Sequence, residues 1–108
     1  MKFTNNADGN MTSYKGEVRI TYAELTEIFG DPDCGPNDLG DKVTCIWELQ
    51  FEDGTIATSY DWKMNDTPMG EYMWHIGGHS MTAVDRVIDC VDMHRDRLVR
   101  MIREHQTA

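Results

Sequence analysis

Lys42-Val-Thr-Cys-Ile-Trp-Glu-Leu-Gln-Phe51, then Glu52-Asp-Gly-Thr55, then Ile56-Ala-Thr-Ser-Tyr-Asp-Trp-Lys63 is the stretch that decides the fold. Asp53-Gly54 between two alternating runs predicts a two-residue hairpin turn in which both turn positions take positive φ. With Glu52 and Thr55 flanking the turn, counting sets the register. Phe51 then faces Ile56, Leu49 faces Thr58, Trp47 faces Tyr60 and Cys45 faces Trp62. These residues and Val43 share one side, because strand side chains alternate. The other side carries Thr44, Glu48, Gln50, Glu52, Thr55, Ser59 and Asp61, with Ile46 and Ala57 as apolar exceptions. One face is expected to meet a core and the other water.

Working outward, Glu17-Val-Arg-Ile20 predicts a short strand. Thr21-Tyr-Ala-Glu24 is a capping box, with Thr21 as N-cap and Glu24 three residues on. Tyr22, Leu25, Ile28 and Phe29 give the helix an apolar side, and Gly30 closes it. Residues 1–16 are polar and aperiodic and are expected to form a disordered leader, leaving 17–108 as a single domain. Downstream, Tyr72, Trp74 and Ile76 alternate as a strand after a loop containing Pro68. From Met81 to about Glu104, Val84, Val87, Ile88, Val91, Leu98, Met101 and Ile102 repeat at three and four, and Ser80 is the expected N-cap. A helix of about 24 residues spans about 36 Å, longer than a small sheet is wide. It should therefore break near Met93-His94 or use its second half against another surface. A homodimer through the C-terminal helix is the simplest expectation. The predicted architecture is α+β. An antiparallel sheet of about four strands has the long helix on one face and the short helix at the edge. Val43, Cys45, Trp47, Leu49, Ile56, Tyr60, Tyr72, Trp74 and Ile76 are expected to meet Val84, Val87, Ile88 and Val91.

The 108 residues carry a net charge of −9. Up to His79 there are 5 Lys and Arg against 14 Asp and Glu, and beyond it 5 against 5. The excess negative charge thus lies on the sheet-forming part. Such a surface repels nucleic-acid phosphates and can attract a basic protein groove. No apolar run is long enough to span a membrane, and no secretory leader pattern is present, so a cytoplasmic protein is expected. Cys34, Cys45 and Cys90 are odd in number and without close pairing, and read as reduced thiols.

No nucleophile motif, Walker loop or Cys-x-x-Cys is present, so a non-enzymatic binding protein without a cofactor is expected. Asp31–Asp41 is acidic but lacks calcium-loop spacing. His75 and His79 are separated by two glycines that break helical geometry, so no metal site is expected. The most suggestive spot is Trp74-His75-Ile76-Gly77-Gly78-His79-Ser80, where a strand gives way to a helix. Amide groups at a helix start, with glycines allowing close approach, can hold an anion. Trp62 and Trp74 could stack on a base, and Lys63 or Arg86 could supply charge.

Phe51-Glu-Asp-Gly-Thr55, Tyr60-Asp-Trp-Lys63 and Trp74-His-Ile-Gly-Gly78 together resemble small accessory proteins of tailed bacteriophages. The resemblance covers roughly Tyr22 to Val87. In outline the chain is similar to the Thoeris-type anti-defence sponges, dimeric proteins with a small sheet and a C-terminal helix. The resemblance implies counter-defence in the host cytoplasm by sequestering a nucleotide-like signal without cleaving it. It carries over no binding residue. The alternative is an acidic inhibitor whose Asp31, Asp33, Asp38, Asp41, Glu48, Glu52 and Asp53 occupy a basic groove of a nucleic-acid enzyme by imitating phosphates. A small structural dimer is the third reading.

Overall fold

The turn after Phe51 sets the geometry of everything around it. In the computed structural model, which describes residues 2–5, 12–34 and 42–107 with side chains as far as 104, the Gly54 amide donates to the Phe51 carbonyl at 2.9 Å. The Phe51 amide donates to the Thr55 carbonyl at 2.9 Å. Gly54 has φ of 88° and Asp53 does not share a positive φ. The connection therefore has three residues, Glu52 to Gly54, and ends on a left-handed glycine that forms a bulge. The expected two-residue turn is one residue too short. The strands it joins are β4 (Cys45–Phe51) and β5 (Ile56–Tyr60). Their register pairs Leu49 with Ala57, Trp47 with Ser59 and Ile46 with Tyr60.

A one-residue shift turns a whole strand over. Ala57, Ser59 and Asp61 are fully buried. Ile56 and Tyr60, expected in the core, lie on the opposite face with Ile46 and Glu48. The β4 assignments stand, since Cys45, Trp47, Leu49 and Phe51 are all buried.

Strand β6 (Tyr72–Gly78) pairs antiparallel with β5, and β2 (Ser13–Ile20) pairs with β6. Trp74 and Ile76 alternate into the core as expected, with Val18 and Ile20 of β2 beside them. Two short strands, β1 (Phe3–Asn5) and β3 (Asp33–Cys34), pair with successive parts of β4. Among the described residues the sheet thus has six antiparallel strands, with β1-β4-β5-β6-β2 in line. The four expected strands are its longer members. Both additions lie where the sequence lacks strand periodicity.

Helix α1 (Tyr22–Phe29) forms as its capping box predicts. The Glu24 amide donates to Thr21 Oγ1 at 3.1 Å, and the Gly30 amide donates to the Thr26 carbonyl. Trp47 Nε1 donates to the Gly30 carbonyl at 2.8 Å, which ties the helix end to β4. Helix α2 (Thr82–Thr107) is continuous, without the break near Met93-His94. Its Ala83, Val87 and Val91 are buried against the sheet, with Val84 and Ile88 packed alongside. Gly78 permits this contact, because a Cβ there would collide with Ala83. Among the described residues no helix is long and apolar enough to cross a membrane.

The N-terminal segment differs from the expected disordered leader. Phe3 packs edge-on against Phe29 and at a tilt against Phe51, with centroids 5.1 and 5.9 Å away. Asn5 Nδ2 donates to the Phe29 carbonyl at 2.9 Å and so caps the end of α1. Residues 13–16 belong to β2, and residues 6–11 lie outside the described residues. Cys34 and Cys45 sit opposite each other across β3 and β4 and form a disulfide, so they are not the expected thiols. Cys90 is free.

The observed register makes a stability prediction. Ala57→Leu should cost about 1–3 kcal/mol by overpacking a filled site, read as a lower urea midpoint. Under the two-residue turn Ala57 would face solvent, and an unchanged midpoint would favour that register.

Candidate functional site

The face of the sheet turned away from α2 carries a connected group of rings. His75 of β6 and Tyr60 of β5 are register partners. Their rings stack with centroids 5.5 Å apart and planes 23° apart. Trp62, just past β5, lies 6.3 Å from Tyr60 and 6.4 Å from His75. Tyr14 of β2 closes the other side at 5.2 Å from His75. Trp62 is 37% exposed and Tyr14 54%.

Three local features of the backbone assemble this group. The turn at Gly54 puts Tyr60 on the open face. Gly77 lets Thr58 and the Tyr60 ring approach β6, because a Cβ there would collide with Thr58 Oγ1. A bulge between Tyr14 and Gly16 brings Tyr14 and Glu17, three residues apart, to the same face. Tyr14 then donates its hydroxyl to Glu17 Oε1 at 2.9 Å. That hydrogen bond, with the nearby negative charge, raises the Tyr14 pKa above its ordinary 10.0, and burial raises that of Tyr60. Both phenols are therefore neutral donors near neutral pH. Glu17 Oε1 also lies 3.9 Å from His75 Nε2. Among the described residues His75 Nδ1 is buried with no hydrogen-bond partner.

Cationic groups stand at the Trp62 end. The Lys63 amide donates to the Lys42 carbonyl at 2.7 Å, which places the two lysines side by side in the chain trace. Lys42 Nζ lies 5.6 Å from the Trp62 ring centroid, within cation–π range. Lys63 has φ of 56°, a left-handed conformation that costs a non-glycine residue about 1–2 kcal/mol. The bend is held from below by Asp61, whose buried carboxylate accepts from the Thr44 amide at 2.8 Å, the Thr44 hydroxyl at 2.6 Å and the Cys45 amide at 3.2 Å. Buried carboxylates require such donors. Tyr72 adds a hydrogen bond from its hydroxyl, which accepts from the Trp62 amide at 3.1 Å.

The structure brings together only part of the expected site. Trp62, His75 and Gly77 belong to this face, and Lys63 follows Trp62 at its edge. Trp74 is fully buried on the opposite face, where its ring meets Trp47 and Tyr72 edge-on, so it cannot stack on a ligand. Gly77 and Gly78 are not a loop before the helix. They continue β6 and pair with both neighbouring strands, so their amides form no free anion cradle. His79 and Ser80 are exposed beyond the strand. Arg86 is held by Asp53, with Nη2 to Oδ2 at 2.8 Å, and its charge is already matched. The residues overlooked are Tyr60, Tyr14, Glu17 and Lys42. Tyr60 was hidden by the register, Tyr14 and Glu17 by the aperiodic start, and Lys42 by the absence of any local motif.

Of the acidic set, Asp31, Asp33 and Glu52 are exposed. Glu48 is half-buried on the open face. Asp53 is engaged with Arg86, and Asp38 and Asp41 lie outside the described residues. Among the described residues no group of three His, Cys, Asp or Glu side chains could hold a metal ion.

Asp53 supplies a pH test. The Thr55 amide, then the Arg86 guanidinium, hold its carboxyl at about 2, below the ordinary 3.8. A depressed carboxylate stabilises the fold above its unfolded value and loses that effect as pH falls through its folded value. The urea-midpoint gap between the native protein and Asp53→Asn should therefore shrink from about pH 5 to about pH 2. A gap that stays constant would show that Asp53 contributes nothing in this window. Comparison of the chain with family models, curated proteins and solved structures finds no match.

Proposed function

We propose that this chain is a non-enzymatic binding protein that takes a flat, anionic, nucleotide-like ligand on the uncovered face of its sheet. The observation that carries this reading is the pairing of Lys42 and Lys63 beside Trp62, at the end of a ring cluster formed with Tyr60, His75 and Tyr14. In a chain of net charge −9, two adjacent lysines beside exposed aromatic surface form a local exception. Stacking accepts any base, since every base has a π-face. Glu17 and the neutral phenols can hydrogen-bond to ring edges, and the lysines can meet phosphate. The surrounding acidic surface disfavours a long polynucleotide.

The resemblance to phage accessory proteins gives the binding a purpose. Holding a host nucleotide signal without cleaving it would counter defence in the host cytoplasm. The cytoplasmic setting follows the expectation from the sequence and the resemblance, and the Cys34–Cys45 disulfide is unusual for it. The ligand position moves from the start of α2 to the open sheet face, because Gly77 and Gly78 are paired strand residues.

Calorimetric titration with adenosine monophosphate, cyclic mononucleotides and cyclic dinucleotides tests the reading. At least one should bind with micromolar affinity. Trp62→Ala should weaken it about 5- to 150-fold, the equivalent of about 1–3 kcal/mol for one stacked base. Absence of heat with every nucleotide, or equal binding by the variant, would overturn the reading.

A further inference from the structure

The disulfide between Cys34 and Cys45 borders the cationic end of the ring cluster. Strand β3 has only two residues, and its Cys34 pairs with Cys45 of β4. Cys34 is exposed and Cys45 is buried. The bond closes a loop across a sequence separation of 11, and Lys42 lies inside that loop. Lys42 is also the residue whose carbonyl accepts from the Lys63 amide and whose ammonium sits over the Trp62 ring. The crosslink therefore restrains the segment that carries Lys42. Opening it returns conformational freedom to that segment.

A run of hydroxyl groups joins the same disulfide to the anchor beneath Trp62. Cys45 Sγ lies 3.4 Å from Thr67 Oγ1, which lies 2.7 Å from Thr44 Oγ1, which lies 2.6 Å from Asp61 Oδ2. Counting hydrogens gives each bond a direction. The Asp61 carboxylate only accepts, so the single Thr44 hydroxyl hydrogen goes to it. Thr67 then donates to Thr44, and its oxygen is left to accept. A disulfide sulfur has no hydrogen to give, whereas a Cys45 thiol has one. Reduction thus completes a run of donors from Cys45 through Thr67 and Thr44 to Asp61. The buried half of the broken bond gains a partner, and the fold accommodates both oxidation states.

We propose that the Cys34–Cys45 disulfide is a redox switch that holds Lys42 against Trp62 when closed and releases it when a dithiol reductant opens it. A thiolate of the reductant attacks the exposed Cys34 sulfur. The S–S bond breaks, and Cys45 leaves as a thiolate that takes up a proton. The second thiol of the reductant then displaces Cys34 from the mixed disulfide. The protein gains two electrons and two protons, and the reductant ends as a disulfide. Disulfides in a cytoplasmic setting are usually transient or redox-sensing, which agrees with such a device. The consequence for binding rests on the ligand reading above: the closed form presents Lys42 to phosphate, and the open form does not hold it there.

Amide hydrogen exchange of the full chain, followed by NMR with and without dithiothreitol, tests the switch. The disulfide should open without denaturant. The Lys63 amide should then exchange at least about tenfold faster and the Trp62 ring protons should shift, while the Val18 and Ile76 amides keep their rates. Cys34→Ala, made at an exposed position, should show the faster Lys63 rate whether or not dithiothreitol is present. A disulfide that stays closed until denaturant is added would overturn the proposal. So would a Lys63 rate indifferent to reduction and to Cys34→Ala, or a rise shared by Val18 and Ile76, which would make the crosslink a staple of the whole fold. Calorimetric titration of both forms with adenosine monophosphate reads the consequence separately. The oxidised form should bind about tenfold more tightly, and equal binding by the two forms would overturn control of the ligand face. Binding to neither form would count against the ligand reading, and the Lys63 rates would still decide the switch.

Discussion

The left-handed Gly54 is the constraint on which the two faces of this protein depend. Its φ of 88° closes a three-residue turn and fixes which side of β5 faces the helices. One residue fewer would send Tyr60 into the core and Ala57 to solvent. With the observed turn, small residues at 57 and 59 lie under the tightly packed helix and Trp47. The large ring at 60 goes to the open face. The division into a packed face and a ring-bearing face is thus set at one position, away from both.

Glycines do different work on the two faces of β6. Gly78 lets Ala83 of α2 reach the sheet directly, so the helix lies close on one side. Gly77 lets Thr58 and Tyr60 close up on the other. Asp61 continues this pattern past the end of β5. Its buried carboxylate gathers donors from Thr44 and Cys45, and the chain leaves that anchor with the Trp62 ring beside Tyr60 and His75 and the Lys63 amide bonded to the Lys42 carbonyl. The buried polar network and the exposed ring cluster are parts of one construction, since the first positions the second.

Much of this was legible in the residues. The capping box at Thr21, the alternation of Trp74 and Ile76, and the three-and-four spacing of α2 are local signals, and each element forms where they place it. The register was not legible, because Asp-Gly serves both two-residue and three-residue turns. The choice rests on which side of β5 packs better, a property of the whole core. Small β1 and β3 carry no periodicity and exist because β4 offers them an edge. Cys34 and Cys45 become partners through that same pairing, which spacing alone did not reveal. For the candidate site, Trp62 and Lys63 follow β5 and His75 lies in β6. Tyr60 stands beside Trp62 in the chain but was assigned to the core face, and Tyr14 and Lys42 come from distant segments.

The proposed ligand would meet the open face and not the start of α2. Side-chain NMR during titration with a nucleotide reads both places at once. The account predicts that the ring protons of Tyr60, Trp62 and His75 shift together along one binding curve while the amides of Gly78, His79 and Ser80 stay in place. Shifts confined to those amides, with the rings unmoved, would contradict it.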